Sequence, residues 1–311
     1  MSTLAVLIGT TALAVALLGP VPALLDRAAW PSREPRAALV LWQAIGLAGG
    51  LAVLTTAMML AVGPLHQSPL MAMGIFVSNV FAGDFTGGLG VWHLLFLALA
   101  LVMSARLAGV LPVTIWRTWQ ARHRHRHLVG LVSRPWPAAR PGDGHVLEHP
   151  VAAVYCLPGR ATPGRPRVVF TTAALDRLDD GELAAVLAHE HAHLEERHDL
   201  VVLPFLAWVT AFPWFPGVRR AKTSVAVLLE LVADDRAAEA SDPAALASAL
   251  ARIGGSEAPA PVGALAITGT GVLLRVQRLL HPPRRSPVWR TAAYVMAAVL
   301  VSLPVAAVLP W

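Results

Sequence analysis

The sequence predicts a mostly α fold: a four-helix membrane anchor with an inserted α+β domain. Three observations predict it. Hydrophobic residues make up 56% of the 311 and charged residues only 14%, against about 25% charged in an ordinary soluble domain. Mean hydropathy is +0.58. The apolar residues gather into three long stretches near the N-terminus and one at the C-terminus, and basic residues flank them asymmetrically. Residues 1–116 are read as a membrane region with three spans, 117–288 as a cytoplasmic domain, and 289–311 as the fourth span.

A helix needs about 20 apolar residues to cross a bilayer. Ser2 to Leu25 carries no ionisable side chain, and without a basic n-region or a clear cleavage site it reads as an anchor. Ala37 to Val62 has only Gln43 as a strongly polar residue. Leu89 to Ala105 continues past Arg106 towards Leu111, with Arg106 expected to snorkel if the helix ends near it. Thr291 to Leu309 lies between Trp289 and Trp311, where an aromatic belt belongs. Arg27, Arg33 and Arg36 follow the first span, and Arg117, Arg122, Arg124 and Arg126 the third. Arg284, Arg285 and Arg290 precede the fourth, and residues 63–88 hold no Lys or Arg. The positive-inside rule then sets the middle domain in the cytoplasm of a bacterial inner membrane, with both termini outside. Of 25 basic Lys and Arg residues only Lys222 is a lysine, a skew that fits GC-rich bacterial coding.

In the middle domain, Val151 to Leu157 and Arg167 to Thr171 read as short strands around a Gly/Pro-rich turn. A helix starts near Asp179 in capping-box style with Glu182 and runs to about Arg197. Leu200 to Phe215 is apolar but broken by Pro204 and Pro213. Further helices cover Thr223 to Ala240 and, from Asp242-Pro243, the stretch ending at Gly254-Gly255; Ser256 to Gly263 reads as a linker.

The chemistry-bearing residues are His189, Glu190 and His193 in His189-Glu-His-Ala-His193. Four apart on a helix, the two imidazoles project from one face and can hold one zinc ion. Glu190 is placed to act on the attacking water as general base. Catalytic zinc takes three protein ligands, and the third candidate is Glu230. Asp234, four residues on, is expected to orient a ligand imidazole. His191 points elsewhere and is expected to be exposed. The Glu195 to Asp199 run reads as a solvated helix end, with His198 a candidate transition-state aid. The Arg122-to-His127 run reads as a positively charged stop at the membrane face in preference to a metal or lipid site. Cys156, the one cysteine, cannot form an internal disulfide and is expected buried in a strand with no base beside it.

The segments Ala185 to Asp199 (AVLAHEHAHLEERHD) and Glu230 to Glu239 (ELVADDRAAE), with Arg167-Val-Val-Phe-Thr171 and Leu178-Asp-Asp-Gly-Glu-Leu183, resemble the BlaR/MecR-type bacterial membrane metallopeptidases. The resemblance implies a cytoplasmic zincin-like (gluzincin) domain that binds Zn2+ through His189, His193 and Glu230, with Glu190 as base. It also implies two protein substrates, a cytoplasmic transcriptional repressor and the chain itself. This sequence ends at Trp311 directly after the last span, where the resistance transducers carry an extracellular penicillin-binding sensor, so β-lactam sensing by that route is not expected. HtpX/Ste24-like quality-control membrane peptidases share the HExxH and ExxxD pattern and form the enzyme alternative. A non-catalytic zinc-binding regulator is the other, and the intact Glu190 argues against it. Direct nucleic-acid binding is not expected, because the net charge of +6 sits beside the hydrophobic spans.

Overall fold

The computed structural model describes residues 3–136, 144–157, 167–253, 265–266 and 271–308. The helices of the first part are α1 (Thr3–Leu18), α2 (Pro20–Arg27), α3 (Pro35–Val62), α4 (Pro69–Phe81) and α5 (Val91–Val132). Four strands and two helices follow: β1 (Ser133–Pro135), β2 (Gly144–Leu147), β3 (Val154–Leu157), β4 (Arg167–Thr171), α6 (Thr172–Arg177) and α7 (Asp180–Glu195). The remainder is α8 (His198–Val201), α9 (Leu203–Ala211), α10 (Pro216–Ala240), α11 (Pro243–Ile253), β5 (Leu265–Ala266), α12 (Val272–Leu280) and α13 (Pro287–Val308). The linker expected at 256–263 and the turn between β3 and β4 lie outside the described residues, as does Trp311.

Four helical stretches are long and apolar enough to cross a membrane: Leu4–Arg27, Pro35–Val62, Val91–Val132 and Pro287–Val308. The third departs from expectation. It does not end near Arg106 but runs on, through Pro112, to Val132. Arg106 therefore does not reach back to an interface at a helix end; its Nε and Nη2 donate to the Ala211 carbonyl at 3.1 and 2.8 Å. A charged donor on a carbonyl at a helix end satisfies both groups where water is scarce.

The chain forms two compact units. The first comprises Met1–Leu111, Ala207–Lys222 and Ser286–Trp311. Here α1 and α13 both pack along α3, whose small residues let neighbours approach closely. Ala48 and Ala52 are fully buried, and Gly49 lies against Leu17 and Leu18. Gly50 faces the Trp208 indole so closely that a Cβ would stand 2.6 Å from the ring. Part of the Pro-interrupted stretch from Leu200 to Phe215 thus packs with the spanning helices. Trp289 stacks on Trp30 at 5.9 Å.

The second unit comprises Pro112–Leu206 and Thr223–Arg285. Its five-stranded mixed sheet has the order β1-β2-β4-β3-β5, parallel between β2 and β4 and antiparallel elsewhere. β3 and β4 pair as expected, Val154 opposite Phe170 and Leu157 opposite Arg167. Val154, Phe170, Val186, Leu246 and Leu250 meet in one apolar core that joins β3, β4, α7 and α11. That core fixes the depth at which α7 lies beneath β3.

Candidate metal centre

Helix α7 starts where the sequence predicts. The Asp179 side chain accepts from the Glu182 amide at 2.8 Å, and Glu182 accepts from the Asp179 amide at 3.0 Å. Each partner satisfies one of the amide donors left over at a helix start. With its start fixed, the helix presents Ala185, Val186, His189, Glu190, Ala192 and His193 to the interior, and His191 lies exposed on the other side. α10 carries Glu230 and Asp234 on its own buried face.

The structure brings His189, His193 and Glu230 together, each offering one donor atom within 4.8 Å of the others. The Nε2 atoms of His189 and His193 face each other at 3.1 Å. Glu230 Oε2 lies 3.4 Å from the first, and Oε1 lies 3.5 Å from the second. Zinc bonds of ~2.0–2.1 Å in a tetrahedron set neighbouring ligand atoms about 3.3 Å apart. The three separations straddle that value, so this donor set fits a zinc ion. Among the described residues it is the one His, Cys, Asp and Glu group found able to hold a metal.

Asp234 lies behind the first histidine, its Oδ1 2.9 Å from His189 Nδ1. Behind the second histidine is another imidazole: His198 Nδ1 is 2.8 Å from His193 Nδ1, and both rings are buried. His198 is therefore buried and is no solvated helix end. The turn that delivers it is made at Arg197, whose φ of 53° places a non-glycine residue in the left-handed region.

Arg275, on α12, is the residue the sequence reading missed. It is 1% exposed. Its Nε and Nη2 donate to Asp234 at 2.8 and 2.7 Å, and Nη1 pairs with Glu230 Oε2 at 2.8 Å. A buried guanidinium clamped by two carboxylates compensates their desolvation. The signal that could have found it is the alternation of Leu with Arg275 and Arg278 in a short amphipathic helix. That pattern reads as a solvated face unless the two acids on α10 are counted as lacking cations.

Burial and these charges set the protonation of the metal-free site. Burial pushes the Glu190 carboxyl up to about 8. Among the described residues neither carboxylate oxygen has a hydrogen-bond partner, although the Cys156 thiol faces it as a weak donor. Cys156, fully buried as expected, thus has a carboxylate beside it that the sequence did not reveal. Burial favours neutral His189, but Asp234 and Glu230 outweigh it and raise the group to about 9. Burial lowers His193 to about 3. Glu230 falls to about 2 because Arg275 and the histidines overcome its burial, and Asp234 is lowered for a similar reason.

The Arg122-to-His127 run divides between faces and does not act as one cluster. Arg122 pairs with buried Asp199 at 2.9 Å, and His125 Nε2 meets the Tyr155 hydroxyl at 3.2 Å. The His123 and His127 rings meet tilted, with centroids 4.5 Å apart.

The model of peptidase family M48 matches residues 138–245, a stretch that contains β2 to β4, α7 and the ExxxD part of α10. No curated protein and no solved structure matches the chain significantly. M48 peptidases are metallopeptidases, typically with zinc, and the matched stretch holds all three converging donors. Together with four helices able to cross a membrane, the similarity supports a zinc metallopeptidase of the membrane type.

Proposed function

We propose that the chain is a membrane-anchored zinc endopeptidase that hydrolyses peptide bonds of a cytoplasmic protein, its substrate a transcriptional repressor as in the BlaR/MecR-type enzymes. The observation that carries the reading is the convergence of His189, His193 and Glu230 beside the buried carboxylate of Glu190, whose oxygens have no hydrogen-bond partner among the described residues apart from the facing Cys156 thiol. His189, His193 and Glu230 would hold the ion. When bound, zinc acidifies a water molecule and polarises a peptide carbonyl.

The protein's own groups do the rest. Glu190 takes the water proton and delivers it to the leaving amine, a transfer suited to a carboxyl that burial has made more basic. Asp234 holds the His189 ring through Nδ1, and Arg275 holds Asp234 and Glu230. A substrate would lie extended along β3. Residues 265–266 of the chain itself already pair there, with Cys156 opposite Leu265 and Tyr155 opposite Ala266. That use of the edge supports strand addition as the binding mode and fits the chain as a second substrate. Placement of the domain in the cytoplasm rests on the distribution of arginines around the spans.

The test has two parts: the zinc content of the detergent-purified chain beside His189→Ala and Glu230→Ala variants, then cleavage of the cognate repressor with Glu190→Gln as control. The reading expects about one zinc per chain, lost in the variants, and cleavage abolished in Glu190→Gln while its zinc remains. A wild type without zinc sinks it. Zinc-dependent proteolysis of misfolded membrane proteins, with the repressor untouched, would favour the HtpX/Ste24-like alternative.

A further inference from the structure

The two histidines of the centre are backed differently. His189 has a carboxylate behind it, Asp234 Oδ1 at 2.9 Å from Nδ1. His193 has an imidazole, His198 Nδ1 at 2.8 Å from its own Nδ1. At that distance one nitrogen donates and the other accepts, and the choice decides what His193 can do. If His193 carries its proton on Nδ1, its Nε2 lone pair is bare and faces Nε2 of His189 and the Glu230 carboxylate. If His198 donates instead, the His193 proton moves to Nε2 and blocks the position that a metal needs.

The surroundings of His198 favour the first arrangement. A neutral His198 that accepts at Nδ1 carries its hydrogen on Nε2, and Glu196 Oε2 lies 3.5 Å from Nε2, an electrostatic neighbour and not a hydrogen-bond acceptor. The ring has little freedom to turn. It is 2% exposed, the left-handed Arg197 sets its direction, and the next residue, Asp199, is pinned by Arg122 at 2.9 Å. A non-glycine residue held in the left-handed region costs stability, and the result of holding it there is this ring under His193.

We infer that His198 is a positioning residue that fixes His193 in the tautomer with a free Nε2, through its own Nδ1 as acceptor, and so sets the affinity of the centre for zinc. This inference rests on the metallopeptidase reading. An imidazole in this place orients the ligand without adding the negative charge that a second Asp234 would bring.

The experiment compares His198→Asn, His198→Gln and His198→Leu in the full chain in detergent. Zinc affinity is measured by chelator competition, the Co2+-substituted absorption spectrum is recorded, and the melting temperature of the metal-free chain serves as the folding control. An asparagine oxygen can stand where Nδ1 stands, whereas the glutamine oxygen reaches the place of Nε2. The inference expects Asn to keep most of the affinity, and Gln and Leu to lose about 10- to 100-fold with an altered Co2+ spectrum. If Leu does not fold, the order of Asn above Gln carries the test. Wild-type affinity in the Leu variant overturns the inference, as does an Asn variant no better than Gln. A wild type that binds no zinc is a separate result and removes the metallopeptidase reading itself.

Discussion

Arg275 grips Asp234 with two nitrogens, Nε on Oδ2 at 2.8 Å and Nη2 on Oδ1 at 2.7 Å, while both side chains are 1% exposed. Its third nitrogen pairs with Glu230. One cation therefore serves two buried acids that lie four residues apart on α10. Arg275→Met would remove that cation and leave the two carboxylates with His189 alone to compensate them. Breaking one side of a buried ion pair costs about 3–5 kcal/mol, so the metal-free variant should melt well below wild type. Zinc would restore part of the loss, because it supplies positive charge at Glu230. Arg275→Lys should recover little, since an ammonium cannot reproduce the fork. Equal melting of wild type and Arg275→Met without metal would show that the pair carries no net stability.

The ligand candidates were legible because a helix repeats every 3.6 residues, so four-residue spacings in two segments place His189 with His193 and Glu230 with Asp234 on shared faces. The capping box at Asp179 was legible for a similar local reason. Arg275 was not, because it lies 41 residues beyond Asp234 and nothing local distinguishes a buried arginine from a solvated one. His198 read as part of a charged helix end because the left-handed turn at Arg197 has no sequence signature in a non-glycine residue. In the sequence the third span reads past Arg106 only towards Leu111, short of the full α5. The helix runs on to Val132, and Arg106 meets the Ala211 carbonyl, a contact 105 residues away. The proximity of Cys156 to Glu190 depends on α7 packing beneath β3, which is a tertiary fact.

In the first unit, Gly50 and Trp208 form a contact with no spare room, a Cβ on Gly50 falling 2.6 and 3.0 Å from two ring carbons. Gly50→Val should therefore lower the thermal stability of the purified chain by about 1–3 kcal/mol, the usual cost of overpacking. Trp208→Ala in the same chain should relieve most of that cost. A double-mutant cycle in which the two effects simply add would show that the contact is not formed.

Glu190 gives the metal-free chain a characteristic pH dependence. Burial raises its carboxyl to about 8, above the unfolded value of about 4.3. The folded state thus binds this proton more tightly than the unfolded state. The stabilisation is complete below the unfolded value and is lost as pH rises through about 8. Glu190→Gln has no proton to lose. Its melting temperature should gain on wild type between about pH 4 and pH 8, with a difference of up to a few kcal/mol. Parallel melting curves across that range would mean that Glu190 is not desolvated.

Loading the centre with zinc should release protons, and the metal-free charges give the number and the sign. His189 is raised to about 9 and Glu190 to about 8, so at neutral pH both are protonated without metal. A ligand imidazole must give up its Nε2 proton, and a divalent ion beside Glu190 favours the carboxylate. His193, lowered to about 3, is already neutral and contributes none. Binding near pH 7 should therefore expel between about one and two protons, and the apparent zinc affinity should rise with pH until both groups have titrated. Calorimetric titration in buffers of different ionisation enthalpy measures the number directly. Glu190→Gln should reduce the release by the share of Glu190 and leave that of His189. A release near zero, or an affinity that falls with rising pH, would overturn the protonation pattern assigned to the centre.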